Sequence, residues 1–211
     1  KEDLSKDELI RKMVGREVEK LKTSVSTTGE IALSVRSISG NNFNDISFNL
    51  FKGEILGFSG LVGAGRTEIA RAIFGADNVI SGEIGTTNTT IKIFHPADAI
   101  AHGIAYVPEQ RNALGLFAEM TIEENIVVAA VRKVAPGGFF DRALSAQSAT
   151  SLKEKLRIAA PDVRTKAGRL SGGNQQKVLL AKWLFADPDI LIIDEPTHGI
   201  DVGARFEIYT I

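Results

Sequence analysis

An α/β fold with an open sheet of buried strands follows from three stretches of this sequence. Ile190-Leu191-Ile192-Ile193 is a run of four aliphatic residues, three of them β-branched, that ends in Asp194-Glu195-Pro196-Thr197. Such a run reads as a strand buried on both faces, as a central parallel strand is. Ile104-Ala105-Tyr106-Val107 repeats the pattern and closes in Pro108-Glu109-Gln110-Arg111. Ile55-Leu56-Gly57-Phe58 is a third apolar strand, running into Gly60-Leu61-Val62-Gly63-Ala64-Gly65-Arg66-Thr67 and then into a helix marked by Ile69, Ala70, Ile73 and Phe74. Open α/β sheets hold ligands outside the carboxyl ends of their strands, so the two acids after Ile193 would face one.

Bulk properties exclude several classes. The charges nearly balance, 25 Lys+Arg against 26 Asp+Glu, so no basic field argues for nucleic acid. The absence of cysteine rules out a disulfide framework, a thiolate metal site and a cysteine nucleophile. His95, His102 and His198 lack metal-ligand spacing and read as structural. No apolar run approaches the ~20 residues that cross a bilayer, and no signal peptide leads the chain. The expectation is a soluble, cytosolic protein of one large or two small domains.

In chain order, Ser5-Lys6-Asp7-Glu8 is a capping box before Leu9, Ile10, Met13, Val14 and Val18 at helical spacing, and Thr23 to Gly29 reads as a linker. That helix is either a connector or a piece packed on its own domain. Ile31, Leu33 and Val35 alternate, as do Ile46, Phe48 and Leu50 after Asn41-Asn42, which predicts a hairpin or small antiparallel sheet ending at the Lys52-Gly53 turn. Residues 76–94 add more small-sheet structure, and Ala97 to His102 a short helix. Thr121-Ile122-Glu123-Glu124 is a second capping box opening a helix to about Lys133, broken by Pro136-Gly137-Gly138. A helix over Leu144 to Ala159, apolar at Ala149, Leu152 and Leu156, is stopped by Pro161. Residues 115–165 therefore form a helical insert suited to docking a partner. Leu170-Ser171-Gly172-Gly173-Asn174-Gln175-Gln176-Lys177 opens a helix to about Ala186, and Asp187-Pro188-Asp189 turns the chain into the acid-ended strand.

Strand, glycine-rich loop, helix is the setting a phosphate-binding loop requires. Its glycines let backbone N–H groups turn toward anionic oxygens, and the helix N-terminus adds partial positive charge. Thr67 stands where a hydroxyl would ligate Mg2+, whereas Arg66 replaces the expected lysine and is not its equivalent. Glu68 occupies the third glycine of the dinucleotide pattern, which is therefore not met. Alone, the loop is either a phosphate cradle or a glycine-rich turn. At the strand end, one carboxylate suits a phosphate-bound Mg2+ and the next could orient or deprotonate water; otherwise two acids simply bring a core strand to solvent. Glu109 or Gln110 either reaches the same crevice or lies in a solvated loop. Ser171, Gly172 and Gly173 make either an anion site or an ordinary N-cap behind a glycine turn.

Together these motifs resemble the nucleotide-binding domain of an ATP-binding cassette (ABC) ATPase, over nearly the whole chain from residue 31. Gly60 to Thr67 matches the Walker A loop, Leu170 to Gln176 the signature motif, Ile190 to Glu195 the Walker B strand and Gly199-Ile200-Asp201 the D-loop. The phrases Gly-Leu-Val-Gly-Ala-Gly-Arg-Thr-Glu, Leu-Ser-Gly-Gly-Asn-Gln-Gln-Lys and Gly-Ile-Asp-Val-Gly-Ala are similar to the second cassette of bacterial monosaccharide importers of the ribose, galactose, arabinose and xylose type. The resemblance implies a P-loop NTPase core with a small antiparallel β subdomain and a helical subdomain at about 115–165. It makes residues 1–30 the end of a preceding cassette and linker, and 31–211 a C-terminal cassette that stops before its switch histidine.

It also implies ATP and Mg2+. Gly60, Gly63, Ala64, Gly65, Arg66, Thr67 and Glu68 would cradle nucleotide, with Thr67 and Asp194 toward the metal and Glu195 polarising the attacking water. Glu109 or Gln110 would occupy the Q-loop. Ser171, Gly172, Gly173 and Gln175, with Asp201, would complete a site whose nucleotide the first cassette of the same polypeptide holds. The implied partners are that cassette, a transmembrane sugar permease docked around 110–160 and, indirectly, a sugar-binding protein, at the cytoplasmic face of the bacterial inner membrane. Arg66 is frequent in second cassettes of this group, and no aromatic stands at the adenine-stacking position, Phe43 being out of register. The implied activity is ATP hydrolysis driving monosaccharide uptake; the alternative is a module that lends its signature motif without turning ATP over. The balanced charge and the importer phrases disfavour an ABC protein of repair or translation.

Overall fold

Alternation along residues 31–51 produces β1 (Ile31–Gly40) and β2 (Phe43–Phe51), an antiparallel hairpin in which Val35 faces Phe48 and Ile38 faces Ile46. The buried positions shift phase from Leu33 and Val35 to Ile38. The ladder slips between Val35 and Ile38, where Ser37 adopts φ 46°, and this bulge returns Ile38 to the core face. The computed structural model describes residues 27–86 and 89–209; the capping box at Ser5, the helix after it and the start of the linker lie outside them.

Two compact units divide the chain, one running up to Tyr106 with Asp187–Asp194, the other holding Val107–Ala186 and the segment from Glu195. In the first, β3 (Ser81–Thr86) joins the free side of β1 and β4 (Thr89–Ile91) joins β3, giving the antiparallel order β2-β1-β3-β4. Helix α1 (Arg66–Ile73) follows the glycine-rich loop. Helix α2 (Pro96–Ala101) starts one residue before the expected Ala97, because Asp98 caps it by accepting from the Phe94 and His95 N–H groups. His95 is thus a cap residue, in keeping with a structural histidine. Strand β5 (Ile104–Val107) is buried throughout and pairs with β6 (Ile190–Ile193), the Ile190 N–H donating to Gly103 O at 3.0 Å.

Two strand expectations change. Strand β6 is not buried on both faces: Ile190 is buried, but Leu191 is 36% and Ile193 45% exposed. Its ladder partner among the described residues is β5 alone. Ile55-Leu56-Gly57-Phe58 forms no strand, and Ile55 is 74% exposed. An apolar run reports a preference for burial, whereas a strand also needs a neighbouring backbone for its hydrogen bonds; no described strand supplies one here. Phe58 instead sets its ring edge-on to Phe48, centroids 5.1 Å apart.

The second unit is helical. Thr121 caps α3 (Ile122–Val127) through its hydroxyl, which accepts from the Glu124 N–H at 3.2 Å, while Glu124 accepts from the Thr121 N–H at 2.8 Å. The α-helix stops at Val127 rather than near Lys133, continuing as a 3-10 segment, Val128–Val134, kinked at Ala130. Val127, Val128 and Val131 crowd the preceding turn and disfavour a regular helix. Asp141 caps α4 (Arg142–Lys155). This helix ends four residues short of Ala159, since Arg157 turns left-handed at φ 50° and its carbonyl accepts from Lys177 Nζ at 2.9 Å. Helix α5 (Gly172–Ala186) spans the expected length and packs on α3, α4 and α6 (Val202–Tyr209). Lys177 Nζ, almost fully buried, also donates to Glu207 on α6 at 2.7 Å.

Asn125 holds the turn before α3. Fully buried, it accepts from the Phe117 N–H at 2.8 Å and donates to the Phe117, Met120 and Thr121 carbonyls at 2.9, 3.3 and 2.9 Å. Every hydrogen-bonding group of its amide is occupied, as burial demands.

Candidate nucleotide site

The first unit carries the glycine-rich loop and one acid. Gly63 and Gly65 are left-handed at φ 83° and 85°, and a Cβ on Gly65 would lie 3.0 Å from the Asn42 carbonyl. Only glycine takes both demands without strain. Gly65 is the N-cap of α1 and offers no side-chain cap, so the first-turn N–H groups retain donors for an anion. Residues 60–64 are exposed, while Arg66, Thr67 and Glu68 sit half-buried in the first helical turn.

Asp194 follows β6, half-buried, and its Oδ2 accepts from the Tyr106 hydroxyl at 3.1 Å. Tyr106 is 5% exposed, with its ring 5.5 Å from that of Phe74. Burial first, then the neighbouring Asp194 charge, raises the phenol pKa, keeping it protonated as a donor. Sequence reasoning saw Tyr106 only as a strand residue, although a tyrosine in an otherwise aliphatic buried strand signals a required hydrogen-bond partner.

The second unit carries the remaining positions. Glu195 is exposed and its backbone is left-handed at φ 41°, with His198 N–H donating to its carbonyl at 3.0 Å. A non-glycine residue in that region marks a turn held by its surroundings. Glu109 approaches His198, Oε1 to Nδ1 3.5 Å. Gln110 begins a π-type turn, Arg111–Gly115. The Arg111 guanidinium reaches three segments: Nε donates to Gln175 Oε1 at 3.4 Å, Nη1 to His198 O at 2.9 Å and Nη2 to Gly199 O at 3.5 Å. This link, spanning more than 60 residues of sequence, was missed in the sequence, where Arg111 is one more polar residue after a strand.

Ser171 Oγ accepts from Asn174 Nδ2 at 2.9 Å, so its own hydrogen remains to be donated elsewhere. Gly172 and Gly173 begin α5, and Gln175 Nε2 donates to Ala167 O at 3.3 Å. Asp201 is exposed before α6, its carbonyl accepting from the Arg205 N–H at 3.0 Å. Behind this surface Lys182 is buried, its Nζ donating to Gly115 O at 2.6 Å and lying 4.9 Å from the Trp183 ring centroid. Burial pushes its pKa down to about 8.

Thus the structure gathers Gly60 to Glu68 and Asp194 in one unit, and Glu109, Gln110, Ser171, Gly172, Gly173, Gln175, Glu195 and Asp201 in the other. Oxygen donors such as Thr67 and Asp194 suit Mg2+ chemically. Among the described residues no cluster of three or more His, Cys, Asp or Glu side chains gathers to hold a metal, so water and phosphate oxygens would supply most of the shell of a cation bound here.

Solved structures of ATP-binding cassettes share this fold. A cassette dimer bound to ADP and Pi aligns with TM-score 0.71 at 20% identity, covering 84% of this chain and 80% of that one. Another ATP-binding cassette of an ABC transporter aligns at 0.69 with 24% identity, covering 87% and 76%. The α/β cassette architecture is therefore shown. The chain belongs to the ABC transporter family, which it matches over residues 43–198. It is 48% identical over 211 residues to a putative ribose/galactose/methyl galactoside import ATP-binding protein of Burkholderia ambifaria, covering 98% of this chain and 41% of the relative. It is 45% identical over 206 residues to the ribose import ATP-binding protein RbsA of Streptococcus agalactiae, covering 97% and 42%. The chain spans about two-fifths of the length of these relatives.

Proposed function

We propose that this chain is a nucleotide-binding cassette of the ATP-hydrolysing subunit of a monosaccharide importer. The observation that carries the reading is 48% identity across 98% of the chain to a protein named for ribose/galactose/methyl galactoside import. The left-handed glycines and uncapped start of α1 support a phosphate cradle. Thr67 and Asp194 would hold Mg2+, which when bound neutralises phosphate charge as the γ-phosphoryl group departs. Glu195 orients and polarises the attacking water, with Glu109 or Gln110 as the Q-loop residue. The Ser171 hydroxyl and the N–H groups of Gly172 and Gly173 donate to the γ-phosphate of nucleotide held by another cassette of the same polypeptide, a reading supported by relatives more than twice as long as this chain.

The exposed apolar side chains Leu114, Phe117, Val131, Phe139 and Phe140 support docking of a membrane-embedded sugar permease on the helical unit. Among the described residues no helix is long and apolar enough to cross a membrane; a peripheral place on the cytoplasmic side belongs to this reading through the permease it would dock on. Sugar choice then rests with the permease and a separate binding protein.

Equilibrium binding of a fluorescent ATP analogue, with and without Mg2+, tests this reading. Mg2+-dependent binding that Gly65→Asp abolishes is the expected result. Binding that appears only in Arg66→Lys would shift the chain to the module that lends its signature motif, and no binding in any form would overturn the cradle.

A further inference from the structure

The hydroxyl of Tyr106 is the feature the reading above leaves unused. Ile104, Ala105 and Val107 make the rest of its strand aliphatic, and the Tyr106 ring packs against Phe74. Phenylalanine would satisfy that packing, and a buried hydroxyl is retained only where it finds a partner. Its partner is not a nearby carbonyl but Asp194, 88 residues away, bonded through Oδ2 at 3.1 Å. An aspartate has only two side-chain torsions, so a donor on one oxygen fixes the plane of the carboxylate. The other oxygen, Oδ1, carries no hydrogen bond among the described residues.

We propose that Tyr106 is a positioning residue for Asp194, holding Oδ2 so that Oδ1 stays oriented toward the cation that accompanies the nucleotide phosphates. The proposal rests on the reading of Asp194 as the metal-side carboxylate. Ligating carboxylates are themselves held by hydrogen bonds, and losing such a partner weakens metal binding by ~10–100-fold. Tyr106 thereby joins the end of β5 to the end of β6, making the metal-side geometry a property of two paired strands rather than of one loop.

The test uses the whole chain with Mn2+ as the probe. Mn2+ binding is followed by electron paramagnetic resonance in the presence of a non-hydrolysable ATP analogue, and analogue binding without metal by fluorescence. In Tyr106→Phe the Mn2+ midpoint is expected to rise ~10-fold or more, while metal-free analogue binding stays at the wild-type value. Asp194→Asn should weaken Mn2+ binding by itself, and adding Tyr106→Phe to it should change nothing further, since the phenol acts only through the carboxylate. A Tyr106→Phe midpoint equal to wild type overturns the proposal and leaves the nucleotide reading intact. If the analogue binds in neither protein, the nucleotide reading itself falls. If Tyr106→Phe lowers the thermal midpoint without moving the Mn2+ midpoint, the hydroxyl is purely structural and the proposal is wrong.

Discussion

Arg111 lies where a side chain on Gly172 would go: a Cβ there would meet Nη2 at 2.7 Å. The glycine at the start of α5 is thus required less by its backbone than by a guanidinium arriving from another loop. Gly172→Ala can be accommodated, because the far end of an arginine swings away, but Arg111 then gives up the His198 and Gly199 carbonyls.

The expected outcome is a local loosening without global unfolding. The His198 amide, bonded to Glu195 O at 3.0 Å, should exchange about fivefold faster in Gly172→Ala and in Arg111→Ala, the equivalent of about 1 kcal/mol for one lost net hydrogen bond. The double variant should exchange no faster than either single one. Hydrogen exchange followed by NMR reads this directly, and additive effects would show that the two residues act independently.

Asn125→Leu should be among the most destabilising single changes in the helical unit. It removes the acceptor of the Phe117 N–H and the donor to the carbonyls of Phe117 and Thr121, leaving buried groups unpaired at a cost of about 3 kcal/mol. Thr121→Ala, which loses only the cap, should cost about 1 kcal/mol. Urea unfolding of the two variants decides whether they rank in this order.

Lys182 predicts a rise of stability with alkaline pH. Burial holds its folded pKa at about 8, against 10.5 for the free side chain. Between those values the unfolded chain binds the proton and the folded chain does not, so stability increases as pH rises through this window. Below about pH 8 both states are protonated and the penalty of burying the ammonium is constant, on the order of 3 kcal/mol. Wild type should gain stability relative to Lys182→Met between pH 8 and 10. A flat difference across that range would show that the ammonium is better solvated than its burial suggests.

Gly63 and Gly65 separate two contributions. Both are left-handed, at φ 83° and 85°, but a Cβ on Gly63 has nothing within 4 Å whereas one on Gly65 lies 3.0 Å from Asn42 O. Gly63→Ala should cost only the backbone term, about 1 kcal/mol. Gly65→Ala should cost more and lower the thermal midpoint by about 4 °C or more. Calorimetry of the pair checks the ranking.

What the sequence disclosed was local. The β1–β2 hairpin follows from alternation, α1 from the glycine-rich loop and the apolar spacing after it, the α3 start from Thr121 and Glu124, and the whole of α5 from its Ser-Gly-Gly opening. What it hid depends on partners far away along the chain. An apolar run at Ile55 to Phe58 states a preference for burial, yet no described strand pairs with it, and Leu191 and Ile193, on one face of β6, stay partly exposed. The Tyr106–Asp194 and Arg111–Gly199 bonds each cross 88 residues, a distance that neither periodicity nor a motif reports. Glu195's left-handed backbone is hidden too, since nothing in an Asp-Glu-Pro string distinguishes it from an extended turn.

The uncovered side of β6 also governs how the chain behaves at the bench. Leu191 and Ile193 are partly exposed on a strand whose ladder partner among the described residues is β5 alone, and Ile55 is more exposed still. Uncharged aliphatic edge strands of this kind template pairing between copies. Concentrated solutions should therefore scatter light and bind thioflavin sooner than dilute ones, and a lysine in place of Ile193 should delay both.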